Sequence, residues 1–172
     1  MPELPEVETT TKGLKKEVVG LKILDVWTDL NTKDTRKVDT ISNLKYFIYF
    51  RKNIKNRKII SAERRAKNIL INLSGGKTIL VHMKMTGHLL FGKYKFIKKE
   101  KRWIPEDNGP LRDPYNKFIH VIFMLSNNKH LAFSDSRKFG KITLLKTSDA
   151  HNTKHLKMLG PEPLDIDFTL QK

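Results

Sequence analysis

Asn68-Ile69-Leu70-Ile71-Asn72-Leu73, then Ser74-Gly75-Gly76, then Thr78-Ile79-Leu80-Val81-His82-Met83: two short β-branched runs meet across a glycine pair. Apolar runs of this length bounded by turn residues read as strands, and the Ser-Gly-Gly joint reads as a hairpin turn. The same pattern repeats on both sides. Lys22–Thr28, Leu44–Phe50, Lys58–Ala62, Leu89–Gly92, Phe118–Leu125, Leu131–Ser134 and Lys141–Lys146 all have strand length, and Asn127-Asn128 is a second turn candidate. In Lys22–Thr28 alternation assigns Ile23, Asp25 and Trp27 to one face and Leu24 and Val26 to the other. Many short strands joined by turns predict a two-layer antiparallel β-sandwich or flattened barrel.

Glu3–Val19 breaks the pattern. Leu4, Val7, Leu14 and Val18 form one apolar stripe at helical spacing, and Gly20 is a stop. Pro2 and Pro5 fit a first turn, where N–H groups have no intrahelical partner. Glu3, Glu6 and Glu8 suit the positive end of the helix dipole. The fold class is therefore mainly β, with an N-terminal helix laid beside the sandwich. Lys52–Lys58 and Lys93–Arg102 read as exposed basic loops, and Ile104–Pro114 reads as a proline-rich connection.

The chain has 172 residues, enough for one well-buried domain. Its 34 Lys and Arg against 18 Asp and Glu give a net charge of +16, which points to a polyanionic partner, nucleic acid first. There is no Cys, so disulfides, thiol catalysis and thiolate metal sites are excluded from these residues. The apolar runs are too short to span a bilayer, and the N-terminus lacks a basic start followed by an apolar stretch. An intracellular, cytoplasmic or nucleoid protein with no membrane partner is expected.

Four segments carry chemistry. Met1-Pro2-Glu3 offers a secondary amine once Met1 is removed, with a carboxylate beside it: an amine nucleophile and a proton carrier, the kit for Schiff-base attack on a sugar carbon. A plain helix-start proline is the competing explanation. Arg64-Arg65-Ala66-Lys67 leads a basic cluster into a strand, where Lys67 could hold a phosphate or move a proton. His82-Met83-Lys84-Met85-Thr86-Gly87-His88 ends a strand in a Thr-Gly turn that pushes Met85 outward, as a wedge between bases would require. His82 with His88, or His151 with His155, is a weak metal pair without a carboxylate or Cys to complete it. Asp135-Ser136-Arg137-Lys138-Phe139-Gly140 sits between strands, and a guanidinium two residues from an aromatic ring suits the gap left by a flipped base.

Together these segments resemble the formamidopyrimidine-DNA glycosylase branch of the Fpg/Nei family. The Met-Pro-Glu-Leu-Pro-Glu-Val-Glu opening, Arg-Arg-x-Lys, His-x-x-Met-Thr-Gly, Asp-x-Arg-x-Phe-Gly and Leu159-Gly160-Pro161-Glu162-Pro163-Leu164 occur in the family's order. Leu4 favours this branch over the Nei branch. The resemblance implies a bifunctional glycosylase and abasic-site lyase that excises 8-oxoguanine and formamidopyrimidines from double-stranded DNA. By it, Pro2 is the nucleophile, Glu3 the general acid/base and Lys67 the residue that binds phosphate and assists β,δ-elimination. His82 would contact phosphate, and Met85, Arg137 and Phe139 would fill the void left by the extruded base.

The same resemblance implies a division at 1–158 for the catalytic domain, with 159–172 beginning a linker to a helix–two-turn–helix and zinc-finger half. Zinc belongs to that half, so no metal or cofactor is expected on this chain. A monomer is expected, working with the missing half in cis or in trans, and the isolated chain should bind DNA weakly. The alternatives are a noncatalytic basic DNA-binding module on the same fold and a ribosome-associated basic protein. Ala66 stands where the family usually has Gly, Ser136 where Pro is usual and Lys138 where Arg is usual. Phe118 replaces a DNA-contacting His, for which nearby His120 is the candidate substitute.

Overall fold

The computed structural model describes residues 1–164. Ten strands follow the N-terminal helix α1 (Leu4–Glu17): β1 (Ile23–Thr28), β2 (Ile59–Arg65), β3 (Asn68–Leu73), β4 (Lys77–His82), β5 (His88–Gly92), β6 (Tyr94–Ile97), β7 (Arg102–Pro105), β8 (Ile119–Leu125), β9 (His130–Ser134) and β10 (Lys141–Lys146). Helix α2 (Leu44–Ile54) lies between β1 and β2, and the short α3 (Lys154–Lys157) follows β10. One antiparallel sheet has the order β1-β8-β9-β5, the other β10-β4-β3-β2, and β6-β7 form a separate hairpin. The predicted sandwich is what forms.

Its core lies between the sheets. Val26, Phe123 and Phe133 from one meet Ile69, Ile71 and Val81 from the other, all nearly inaccessible. Helix α1 closes one side with Val7, Leu14 and Val18, and Thr11 fills the gap in that stripe by donating its hydroxyl to the Val7 carbonyl. The outer face of the β10-β4-β3 sheet is covered as well: Leu70 packs with Ala150 and Leu156 from the segment that follows β10. That is why β3 is buried on both faces, although Asn68 and Asn72 share the outer face with Leu70.

Four expectations need correction. Leu44–Phe50 is part of α2, not a strand. Its β-forming aromatics are overridden by an Asn43 cap, whose side chain accepts the Tyr46 N–H, and by burial of Phe50 and Ile54 at helical spacing. The last turn of α2 also takes up the start of the expected Lys52–Lys58 loop. Lys93–Arg102 is no loop either; it contributes to the β6–β7 hairpin, where Trp27, Phe96 and Trp103 make edge-to-face and tilted contacts. In β1, a register shift between Ile23 and Asp25 sends both Ile23 and Val26 into the core and leaves Leu24 exposed, so simple alternation fails there. Of the expected 159–172 linker, residues 165–172 lie outside the described residues.

Candidate active site

The turn from β2 to β3, the turn from β4 to β5 and the loop from β9 to β10 all come out at one end of the sandwich. The register shows why: Asn68 pairs with His82, and His82 with Lys141, so those three strands end in line. Helix α1 delivers its N-terminus to this end through two ion pairs to the β2–β3 turn, Glu3 with Lys67 and Glu8 with Arg64.

Pro2 does not occupy the first turn of a helix. Glu3 is the N-cap and Leu4 the first helical residue, so Pro2 lies just outside. The Glu3 N–H donates to Glu6, closing the helix start. A helix-start proline is therefore not the arrangement found. Pro2 instead lines a cleft of about 300 Å³ with Met1, Glu6, Thr10, Met83, Gly87, His88 and Tyr115. The His88 and Tyr115 rings stack at 4.7 Å on its wall. A Cβ at Gly87 would collide with the Met83 carbonyl and the Phe133 ring, so only glycine allows the cleft floor to approach so closely.

Lys67 Nζ sits 2.8 Å from a Glu3 carboxylate oxygen. The hydrogen bond from Lys67 and its charge hold the Glu3 carboxyl below the usual range, so Glu3 is an anion at neutral pH. The turn carrying Lys67 is itself anchored. Ala66 has a left-handed backbone (φ 51°), and its N–H donates to Glu162 at 2.6 Å.

In the turn between β4 and β5, Met85 is exposed while Met83 is core. Arg137 donates from Nη1 to Met85 Sδ at 3.4 Å, and its guanidinium lies 4.7 Å from the centre of the exposed Phe139 ring. The three sequence-predicted void-filling residues thus form one group. Asp135 builds their loop: wholly buried, it accepts from the Thr86 hydroxyl and from the N–H groups of Arg137 and Gly140. Sequence reasoning quoted Asp135 only as a motif letter. An Asp opening a Gly-terminated loop was the available signal. Tyr115 was also missed, because its aromatic ring stands alone in a polar, proline-rich connection.

His82 lies at the end of β4, its ring 6.2 Å from that of His155. His88 bonds Asn116, and His151 pairs with Glu63, so neither expected histidine pair converges. Among the described residues no group of His, Cys, Asp or Glu is placed to hold a metal ion. The His120 ring is paired through Nδ1 with Asp29 at 2.8 Å, while Phe118 lies under the Lys117 ammonium. No described helix is long and apolar enough to cross a membrane.

Residues 1–142 match the family model described as the formamidopyrimidine-DNA glycosylase N-terminal domain. The chain is 38% identical to a formamidopyrimidine-DNA glycosylase of Pelotomaculum thermopropionicum, over 98% of this chain and 52% of the relative. A Lactiplantibacillus plantarum formamidopyrimidine-DNA glycosylase is 34% identical over 99% of this chain and 53% of its own length. Among solved structures, the Lactococcus lactis Fpg in complex with abasic-site DNA superposes with a TM-score of 0.70 at 26% identity, covering 94% of this chain and 51% of that one. The same enzyme with oxidised-pyrimidine DNA also gives 0.70 at 26% identity, over 94% of this chain and 51% of that one. The chain thus spans about half the length of the relatives it matches. With its strand order, its Pro2 cleft and these similarities in agreement, the chain belongs to the formamidopyrimidine-DNA glycosylase N-terminal domain family.

Proposed function

We propose that this chain is the catalytic N-terminal part of a DNA glycosylase and abasic-site lyase acting on oxidised purines in double-stranded DNA. One observation carries the reading. The Pro2 cleft, the Glu3–Lys67 pair and the Met85–Arg137–Phe139 group share one end of the sandwich.

The chemistry follows from those positions. The Pro2 nitrogen, freed by removal of Met1, attacks the anomeric carbon of an everted nucleotide, and the bond to the damaged base breaks. Glu3, held as an anion, exchanges protons with the opened sugar. The iminium so formed acidifies the neighbouring carbon, and loss of its proton expels the 3′ phosphate; a second elimination expels the 5′ phosphate. Lys67 holds phosphate during these steps. Met85, Arg137 and Phe139 occupy the gap in the duplex, which offsets part of the cost of unstacking. Zinc, on this reading, belongs to the part of the relatives that this chain does not span, since the chain has no thiolate to offer it.

Borohydride trapping tests the reading. Met1-free protein incubated with an abasic-site duplex and borohydride should yield a covalent protein–DNA adduct, and protein retaining Met1 should yield none. Equal yields from both would overturn Pro2 as the nucleophile. No adduct from Met1-free protein, even with the missing half supplied in trans, would leave a noncatalytic DNA-binding module.

A further inference from the structure

The chain has no Cys, so its thioethers are the only sulfurs that an oxidant can reach. Its five methionines differ in their surroundings. Met83 is core, and Met124 packs against the cluster of Tyr94, Ile119, Ile122 and Ala132. On the reading above, Met1 leaves when the Pro2 amine is freed. That leaves Met158, 78% exposed, and Met85, 43% exposed.

Met85 is set apart from Met158 by what faces its sulfur. Arg137 donates from Nη1 to Met85 Sδ at 3.4 Å, a weak bond, because a thioether is a poor acceptor. The two loops are stapled beside this contact. Thr86, next to Met85, gives its hydroxyl to Asp135 and accepts the Arg137 N–H at 3.2 Å. Among the described residues no carboxylate is ion-paired with Arg137. A guanidinium without a counter-charge is thus held against an accessible sulfur, with the Phe139 ring at 4.7 Å on its other contact.

We propose that Met85 is an oxidation site, and that its sulfoxide locks Arg137 and switches off the Met85–Arg137–Phe139 group. The inference concerns regulation of that group and rests on the DNA reading above. In the step, the Met85 sulfur gives an electron pair to one oxygen of hydrogen peroxide and the O–O bond breaks. The second oxygen takes up the proton and leaves as water: Met and H2O2 become methionine sulfoxide and H2O. Sulfur is oxidised by two electrons, and peroxide is reduced by the same two. The new oxygen forms beside Arg137 Nη1 and turns a poor acceptor into a strong one at an existing contact. It draws the guanidinium off Phe139 and away from the duplex. The tip of Met85 also becomes polar, which ends its use as an apolar wedge. A thiol-dependent methionine sulfoxide reductase reverses the step.

The test treats the Met1-free chain with hydrogen peroxide, removed by desalting before DNA is added. Peptide mass spectrometry should find one added oxygen on Met85 and on Met158 well before Met83. The Arg137 Nε–H NMR signal should move, and affinity for an abasic-site duplex should fall about tenfold, the scale of one lost stacking contact. Sulfoxide reductase with dithiothreitol should restore both. The Met85→Leu chain, whatever its starting affinity, should bind equally before and after peroxide, while Met158→Leu should respond as the parent does. Met85 oxidising no faster than Met83, or Met85→Leu losing as much affinity as the parent, would overturn the proposal. So would a Met85 sulfoxide that leaves both the Arg137 signal and the affinity unchanged. A reversible Arg137 shift in a chain that never tells abasic from intact duplex, even before peroxide, would keep the sulfoxide–guanidinium lock and sink the DNA reading instead.

Discussion

The Glu162 carboxylate accepts the backbone N–H of Ala66 at 2.6 Å, and Ala66 is the residue immediately before Lys67. The same carboxylate takes Arg64 on one oxygen and Arg65 on the other. Arg64 reaches on to Glu8 in α1. One chain of ion pairs thus ties the helix that follows Pro2, the turn that holds Lys67 and the segment 159–164. Burial alone would raise the Glu162 carboxyl; its hydrogen bonds from Arg65, Ala66 and Arg64 win and hold it below its usual range.

Glu162→Ala should therefore cost about 2 kcal/mol, because it takes one of two acid partners from Arg64, whose side chain is only 6% exposed, and leaves the Ala66 N–H without its acceptor. Urea unfolding at neutral pH measures this. Ala66→Gly should move stability the other way by about 1 kcal/mol, since glycine adopts the left-handed backbone without its steric cost. A neutral Glu162→Ala would mean the network is solvent-screened decoration.

The Glu3–Lys67 contact makes a second prediction. Replacing Lys67 with Met removes the hydrogen bond and charge that depress Glu3. The Glu3 carboxyl should then titrate closer to its ordinary value of 4.5, followed by carbon-13 NMR of the side chain. In Met1-free protein, Glu3→Gln should lower the single-turnover rate of adduct formation by about a hundredfold or more.

The β3–β4 hairpin was legible because the two strands carry their own turn, Ser74-Gly75-Gly76, and their own apolar pattern. Helix α2 was not, because Tyr, Phe and Ile favour strands in isolation and only the Asn43 cap and the tertiary burial of Phe50 and Ile54 decide otherwise. The β6–β7 hairpin was hidden by its lysines, which face solvent while Tyr94, Phe96 and Trp103 anchor it. At the site, the motif residues could be named from sequence, but their partners could not. That Glu162 grips Ala66, that Asp135 accepts the Thr86 hydroxyl and that Lys141 stands beside His82 are long-range facts that no local pattern carries.

Met85, Arg137 and Phe139 should act on damaged duplex and leave undamaged duplex unaffected. Phe139→Ala removes the ring under the Arg137 guanidinium and a surface on which a base can stack. Affinity for an abasic-site duplex should fall about tenfold, in line with stacking worth about 1–3 kcal/mol per base, while binding to intact duplex stays within twofold. Fluorescence anisotropy on matched duplexes reads both. Equal losses on the two would make Phe139 a nonspecific contact.

Acid should weaken the fold through His82 before the carboxylates titrate. In the folded chain its imidazole is pushed from 6.5 down to about 4 by burial, with Lys84, His155, Lys67 and Lys141 adding repulsion. Between those values the unfolded chain binds the proton and the folded chain does not, so stability falls as the pH drops from about 6.5 towards 4 and levels off below. His82→Asn keeps an acceptor for the Lys84 N–H but cannot titrate. The variant should lose less stability than the parent chain between pH 7 and pH 4.5, by about 2 kcal/mol after allowing for partial exposure. Some acid loss will persist, because burial depresses His130 as well. Denaturant midpoints at the two pH values decide it: parallel losses in parent and variant would show that His82 is as free to protonate in the fold as in the open chain.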